Sequence, residues 1–479
     1  MSPEESIIRS TGVSLGIKTS GSSSQLNAKH TWNILACGDF GFTSAKPEKI
    51  AASSMNDFLE THEVKICGSV TENLPENIKP FFVKYPVRSV KDFSKDSIID
   101  KIPALKSLTG AIDLIDKLLS GKISAENAVA ILDKLELPPT IYGAILAKIE
   151  QNPSGSTTLN SGTVDSILSM IDIGDEPTPA PTATDNFIST ISADSQITNS
   201  EQALQLIREN CTSTLSALYK TVVSQPFFKN CQTSWNALKK LLKNLGRNRD
   251  INLLLASSSV ESSGEKLSQF ISTCGDENSV PDIIIWDYPL TLSTSSVTEI
   301  KSVCEIAERY KSIVIGSLSP STELQPMLFK ADHLGDIFGQ PEYIPYKRLR
   351  KEPASRCLCI GMPAAELSVS ESNQPLLIGA AWVLAEQWVE SILSKSMPFA
   401  FSLLENVHEF GLSEIHEHIA REAEEFGFSV LRAHPRGISS DPRVILEIDS
   451  SEAFSNLSFN LIVNRTARLA AEWVSEYGK

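Results

Sequence analysis

An α/β fold, with doubly wound, mixed or parallel sheets and helical segments, is the class this sequence predicts, and three observations carry it. Between residues 251 and 316, short continuous apolar runs alternate with amphipathic stretches roughly 10–15 residues long. The runs at 251–256, 282–286 and 313–316 show no polar alternation, which marks strands covered on both faces. Strands of that kind, joined by helices, pair in parallel through right-handed crossovers. Residues 31–40, TWNILACGDF, supply a further buried strand running into a glycine turn. Residues 222–245 place Phe228, Cys231, Trp235, Leu238, Leu242 and Leu245 at steps of three and four, the stripe of a helix burying one face. Lys239, Lys240 and Lys243 fall on the other side, and Ser224 with Pro226 gives a start signal.

The 479 residues suffice for two or three domains, each with its own core. A formal net charge of −15 argues against a nucleic-acid partner, since phosphate contacts require clustered Lys and Arg. The eight cysteines are scattered, mostly over apolar faces, and read as reduced core thiols. The opening residues MSPEESIIRS lack a basic region followed by an apolar run, so no signal peptide is expected. No stretch of about 18 uninterrupted apolar residues occurs, so no direct membrane insertion is expected. Together these features predict a cytoplasmic protein.

In chain order, residues 1–30 form a polar, Ser-rich arm, expected to be flexible, with one alternating piece in which Val13, Leu15 and Ile17 share a side opposite Ser14 and Gly16. Such a piece is either a lone strand that borrows partners or a plain tail. Residues 31–150 form a first α/β domain, with a helix expected at 48–61, strands at 64–70 and 81–87, and helices towards residue 151. Residues 151–186 form a Ser/Thr/Pro-rich linker. Its one apolar island, 164–173, sets Val164, Ile167, Leu168 and Ile171 on a single helical face, which fits a peptide docking in a partner's groove or a helix packing on its own domain. Residues 187–479 form the second α/β domain, opened by a capping arrangement at Asn199 to Gln202 and a helix carrying Leu204, Ile207, Cys211, Leu215, Leu218 and Val222.

Several of these stretches resemble the contractile-sheath subunits of type VI secretion systems. Pro226-Phe227-Phe228, Trp235 and Leu238 to Leu242 resemble the "hP-x-F-x-x-L-E-x-x-W-R-G-L" signature of the large subunit (TssC, VipB-like). Trp286-Asp287-Tyr288, residues 356–363, the alanine-rich 375–385, residues 424–431 and the Arg465-Thr-Ala467-Arg468 helix match further pieces of it. Gly38-Asp39-Phe40, Asp92 to Asp96 and Pro103-Ala104-Leu105 resemble the small subunit (TssB, VipA-like), with Lys95 where that family has proline. The resemblance implies a fused small-plus-large subunit: a sheath-subunit-like fold and a structural component forming or capping a contractile sheath around an inner tube. It also implies its partners: itself or other sheath subunits, an Hcp-like tube protein, a ClpV-like AAA+ disassembly ATPase gripping the 164–173 island, and baseplate proteins. The arm at Val13, Leu15 and Ile17 stands where the small subunit donates a strand to a neighbour. The R-x-P-Y stretch of the large subunit is missing here. Large subunits continue for tens of residues past the Arg465 helix, whereas this sequence ends at Lys479, so short or partner-dependent oligomers are expected.

No pattern in the sequence points to catalysis or a cofactor. Asp39-Phe40-Gly41 reads as a kinase D-F-G only in isolation, because the glycine-rich loop, V-A-I-K and H-R-D that accompany it are missing. His416-Glu417-His418 with His408, and Cys357-x-Cys359, lack the spacing of a metal site. No phosphate-binding G-x-x-x-x-G-K-[ST] loop and no G-x-S-x-G elbow occur. The alternative to a structural protein is an α/β enzyme or small-ligand-binding protein without a recognisable catalytic motif. The tryptophans at 235, 286, 382, 388 and 473 are all expected in the core.

Overall fold

A strand buried on both faces must find backbone partners along both edges, because unpaired N–H and C=O groups away from water are costly. Residues 32–38 meet that demand in the computed structural model, which describes residues 31–75, 78–150, 200–246, 250–258, 263–276, 279–319, 324–369, 375–395, 404–405, 410–447 and 455–477. The elements are, in chain order, β1 (Trp32–Gly38), β2 (Glu48–Ile50), α1 (Met55–Thr61), β3 (Lys65–Val70), β4 (Phe81–Pro86), α2 (Lys95–Lys101), α3 (Pro103–Leu119), α4 (Ala125–Leu132) and α5 (Pro139–Glu150). Then come α6 (Ser200–Ser224), α7 (Pro226–Leu245), β5 (Ile251–Ser257), α8 (Ser263–Asp276), β6 (Ile283–Leu290), α9 (Thr294–Tyr310), β7 (Ile313–Leu318), α10 (Leu324–Lys330), α11 (Leu334–Phe338), α12 (Ile344–Leu349), β8 (Leu358–Met362), β9 (Ala365–Leu367) and β10 (Leu376–Ile378). The last are α13 (Ala380–Lys395), β11 (Leu404–Glu405), β12 (Phe410–Leu412), α14 (Glu417–Glu425), β13 (Phe428–His434), β14 (Gly437–Ser440) and α15 (Leu457–Tyr477).

These elements form two units, one drawn from Met1–Lys65, Pro86–Phe93 and Asn230–Lys479, the other from Ile66–Tyr85 and Ser94–Lys229. The first holds a nine-stranded sheet in the order β11-β14-β13-β8-β7-β6-β1-β5-β2. Strands β5, β1, β6, β7, β8 and β13 run parallel, whereas β2, β14 and β11 pair antiparallel at the edges. Ile34 lies opposite Leu253 of β5 on one side and Ile283 of β6 on the other, so β1 is bracketed by strands more than two hundred positions later in the sequence.

Side chains alternate across this sheet, as the pleat requires. Leu35, Cys37, Leu254, Ile284, Trp286, Val314, Leu358 and Ile360 pack in one core with Leu267, Phe270 and Ile271 of α8 and Val297, Ile300 and Val303 of α9. The opposite set, Ile34, Ala36, Ile283, Ile285, Ile313 and Ile315, is equally buried. On that face α13 packs against β6, β7 and β8. A Cβ on Gly361 of β8 would lie 2.7 Å from the Ala380 Cβ, so only glycine lets this helix come so close. Helices on both faces of a largely parallel sheet make the fold doubly wound, mixed α/β.

The second unit combines a two-stranded sheet, β3 and β4, with a helical bundle. Ser94 caps α2 by accepting from Ser97 N at 3.4 Å, and Pro103 starts α3, where a missing N–H costs nothing. Helix α3 packs on α6, with Arg208 paired to Asp116 at 2.5 Å. Helix α5 also packs on α6. The helices that end at residue 150 and begin at residue 200 therefore belong to the same helical bundle.

Three expectations need correction. Residues 48–50 are strand, not helix, because β5 offers them backbone partners at its free edge (Glu48 opposite Leu255); the helix begins only at Met55. Residues 231–238 of α7 are buried all round rather than along one stripe. That includes Gln232, Thr233, Ser234 and Asn236, which is tolerable where hydrogen bonds satisfy them, as when Asn236 Nδ2 donates to Gln232 O at 2.8 Å. Trp473 lies on the surface with 51% exposure, whereas Trp235, Trp286, Trp382 and Trp388 are buried; its helix position continues an apolar row that faces outward.

Because β1 sits between β5 and β6, a chain cut within residues 151–199 should not separate. After limited proteolysis there, the two fragments are expected to co-elute in native size-exclusion chromatography and to part only in denaturant.

Candidate functional site

The interaction segments expected from the sequence, Val164, Ile167, Leu168 and Ile171 in the linker and Val13, Leu15 and Ile17 in the arm, lie outside the described residues. Within the described residues, the concentrated chemistry of the first unit sits near the two ends of β6, where one carboxylate is buried and a second half-buried.

At the start of β6, Asp282 is 3% exposed and takes donors from three directions. Its Oδ2 accepts from Asn33 N at 2.9 Å and from Arg465 Nη1 at 3.0 Å, while Oδ1 accepts from Arg468 Nη2. The Arg465 guanidinium lies 3.7 Å from the centre of the Trp32 ring, and Trp32 meets Trp388 edge-on at 5.4 Å. Stacking on an indole and pairing with a carboxylate suit the planar, weakly hydrated guanidinium better than an ammonium. Neighbouring residues of α15 extend the attachment: Asn464 Nδ2 donates to Ser312 O at 3.4 Å, and Arg468 Nη1 to Pro281 O at 3.2 Å. Helix α15 is thereby bonded to the starts of β1 and β6 and to the residue preceding β7.

Near the other end of β6, Asp287 accepts from Trp382 Nε1 at 2.7 Å and from the Ser234 hydroxyl. Burial pushes its carboxyl up to about 6, against the opposing pull of these two donors. Beside it, the Tyr288 hydroxyl meets Ser258 Oγ at 2.6 Å, and burial pushes its ionisation far above the ordinary range. The turn after β1 closes the cluster. Phe40 N donates to Ser257 Oγ at 3.2 Å, and Phe40 O accepts from Trp235 Nε1 at 3.0 Å. Gly41 has φ +72, and a Cβ there would stand 2.8 Å from Lys65 O, so this turn requires glycine. Gly38-Asp39-Phe40, Trp235 and Trp286-Asp287-Tyr288, separate motifs in the sequence, meet here.

The thiols of this region and the Tyr288 hydroxyl are held in their uncharged forms. Burial pushes the Cys359 thiol up to about 12, and Cys37 and Cys231 rise as well, the reverse of what a reactive thiolate needs. Cys357 and Cys359 do not act as a pair: Cys359 Sγ meets Ser429 Oγ at 3.1 Å, and Cys357 lies against Asn464. Among the described residues, no group of three or more His, Cys, Asp or Glu is placed to hold a metal ion, and no helix is long and apolar enough to cross a membrane. Sequence reasoning passed over Asp282 and Ser234. The signal for Asp282 was an acidic residue heading a wholly apolar strand, whereas Ser234 carried none, since the pattern of residues 222–245 predicts a helix buried on one face.

Residues 41–135 match the model of the family described as "Type VI secretion system, VipA". The matched segment begins at the Gly41 turn and runs through α4. Among solved structures, the chain is similar to a protein of the anti-feeding prophage baseplate (9% identity, TM-score 0.32, 50% of this chain and 57% of that one). It is similar also to a chain of the PVC sheath complex of an extracellular contractile injection system in its contracted state (12% identity, TM-score 0.32, 50% of this chain and 58% of that one). The chain thus spans a little over half the length of the structures it matches. No curated protein matches it.

Two outcomes follow from these carboxylates. Replacing Arg465 by Met leaves Asp282 short of a partner, and urea denaturation should show a loss on the order of 3 kcal/mol. Asp287 favours its neutral form when folded, so its stabilising contribution is complete below the ordinary carboxyl range near pH 4 and is lost as pH rises through about 6. Between pH 4 and 7.5 the native chain should therefore lose roughly 2–3 kcal/mol more stability than Asp287→Asn, read from parallel urea titrations.

Proposed function

We propose that this chain is a fused small- and large-subunit-like sheath polypeptide, a structural component of a type VI, phage-tail-like contractile apparatus that forms or caps the sheath around an inner tube. The observation that carries the reading is the VipA-family match over residues 41–135. Two features support the fusion. Strand β1, directly upstream of the match, is bracketed by β5 and β6 from the large-subunit-like stretch, as expected if the halves derive from partners that shared one sheet. The Gly38-Asp39-Phe40 turn is bonded through Phe40 O to Trp235 of the large-subunit-like helix. On this reading the chain is not an enzyme. It works in the cytoplasm with copies of itself or other sheath subunits, an Hcp-like inner tube and baseplate proteins.

The linker belongs to the same proposal. A segment of 49 residues whose flanking helices pack together is far longer than the gap it closes, which suits presentation of the island Val164, Ile167, Leu168 and Ile171 to a ClpV-like AAA+ ATPase. The arm, through Val13, Leu15 and Ile17, is the candidate strand donor to a neighbouring subunit.

Co-expression with sheath subunits and an Hcp-like tube protein tests the main reading. Electron microscopy of tagged chain is expected to find it in rings or tubes; a monodisperse particle excluded from every tube would reject it. For the island, Leu168→Asp with Ile171→Asp should lower ATPase binding at least tenfold in a pull-down titration while leaving the melting temperature unchanged.

A further inference from the structure

Helix α15 buries one side through Leu461, Asn464 and Arg465. Its outward side is a stripe, Val463, Ala467, Ala470 and Val474, at steps of four, three and four without a single charge. Val463 is 38% and Val474 58% exposed. A solvent-facing helix side normally carries polar residues, and a continuous apolar row there marks a contact surface.

The structure also shows where a covering segment starts. Thr31, the first described residue, has its carbonyl 3.4 Å from Arg465 Nη2, halfway along α15, so residues 1–30 join the body beside this helix. The 14 residues separating Ile17 from Thr31 span up to roughly 45–50 Å when extended, against about 31 Å for the whole 21-residue helix. Within that arm, Val13, Leu15 and Ile17 are the one alternating apolar set, and on an extended segment their side chains repeat about every 6.8 Å, close to the 5.4 Å helical turn.

We infer that in the unassembled chain the N-terminal arm seats Val13, Leu15 and Ile17 on the Val463–Val474 face of α15 of the same molecule. The seat would cover the arm's apolar side until a partner competes for it. The inference rests on the exposed stripe and the position of Thr31, and it stands whether or not the chain is a sheath protein.

A photoactivatable benzoyl-phenylalanine placed at Leu15 in the full chain, with equal parts of light and isotopically heavy protein mixed at low concentration, tests it. The expected result is crosslinking to peptides within residues 459–474, almost wholly light-to-light and heavy-to-heavy. Val463→Asp with Val474→Asp should then cut that yield at least fivefold while the melting temperature holds, since both positions face outward. Crosslinks mainly between light and heavy chains would assign the face to a second copy and overturn the inference. Crosslinks elsewhere, or a yield unmoved by the double substitution, would overturn it too.

Discussion

Everything in the first unit depends on β1 being an interior strand. Trp32 to Gly38 is buried at every residue, and its two edges are satisfied by β5 on one side and β6 on the other. Removing it would leave two central strands with open edges in mid-sheet, a state that backbone desolvation makes very costly. The order of the sheet therefore ties the start of the chain to its middle more firmly than any surface contact, and the turn at Gly41 and the contacts of Phe40 follow from where β1 ends.

The two carboxylates near the ends of β6, one buried and one half-buried, are held in different ways. Asp282 is matched by two guanidiniums and a backbone N–H, so its charge is paired, and the arrangement fixes α15 against the strand starts. Among the described residues Asp287 accepts from neutral donors, Trp382 Nε1 and the Ser234 hydroxyl, and desolvation raises its carboxyl. Near the strand ends where open α/β sheets often place a ligand, these side chains bond to one another.

The second unit closes a long gap in sequence. Its helices α5 and α6 pack together although 49 residues separate them, so their packing must offset the entropy of closing so long a connection. On α15 of the first unit, the contacts of Arg465 and Arg468 lie on one side, and Val463 and Val474 stay exposed on the other.

By itself, the sequence determined the elements whose signal is local. Continuous apolar runs at residues 251–256 and 313–316 specified buried parallel strands, and the steps of three and four from Phe228 to Leu245 specified α7, because a pleat and a helix impose those periods on any chain that buries them. Gly38-Asp39-Phe40, Trp235 and Trp286-Asp287-Tyr288 could be picked out one by one, but not that they would meet. Tertiary structure alone decided that β1 lies between β5 and β6, that residues 48–50 extend the sheet edge, and that Trp473 points outward. It also decided that Asp282 finds Arg465, a partner 183 positions away. The physical reason is the range of the information. Periodicity reports which side of a segment is buried, whereas strand order and charge pairing are chosen among distant segments by edge satisfaction and desolvation, which no window of sequence contains.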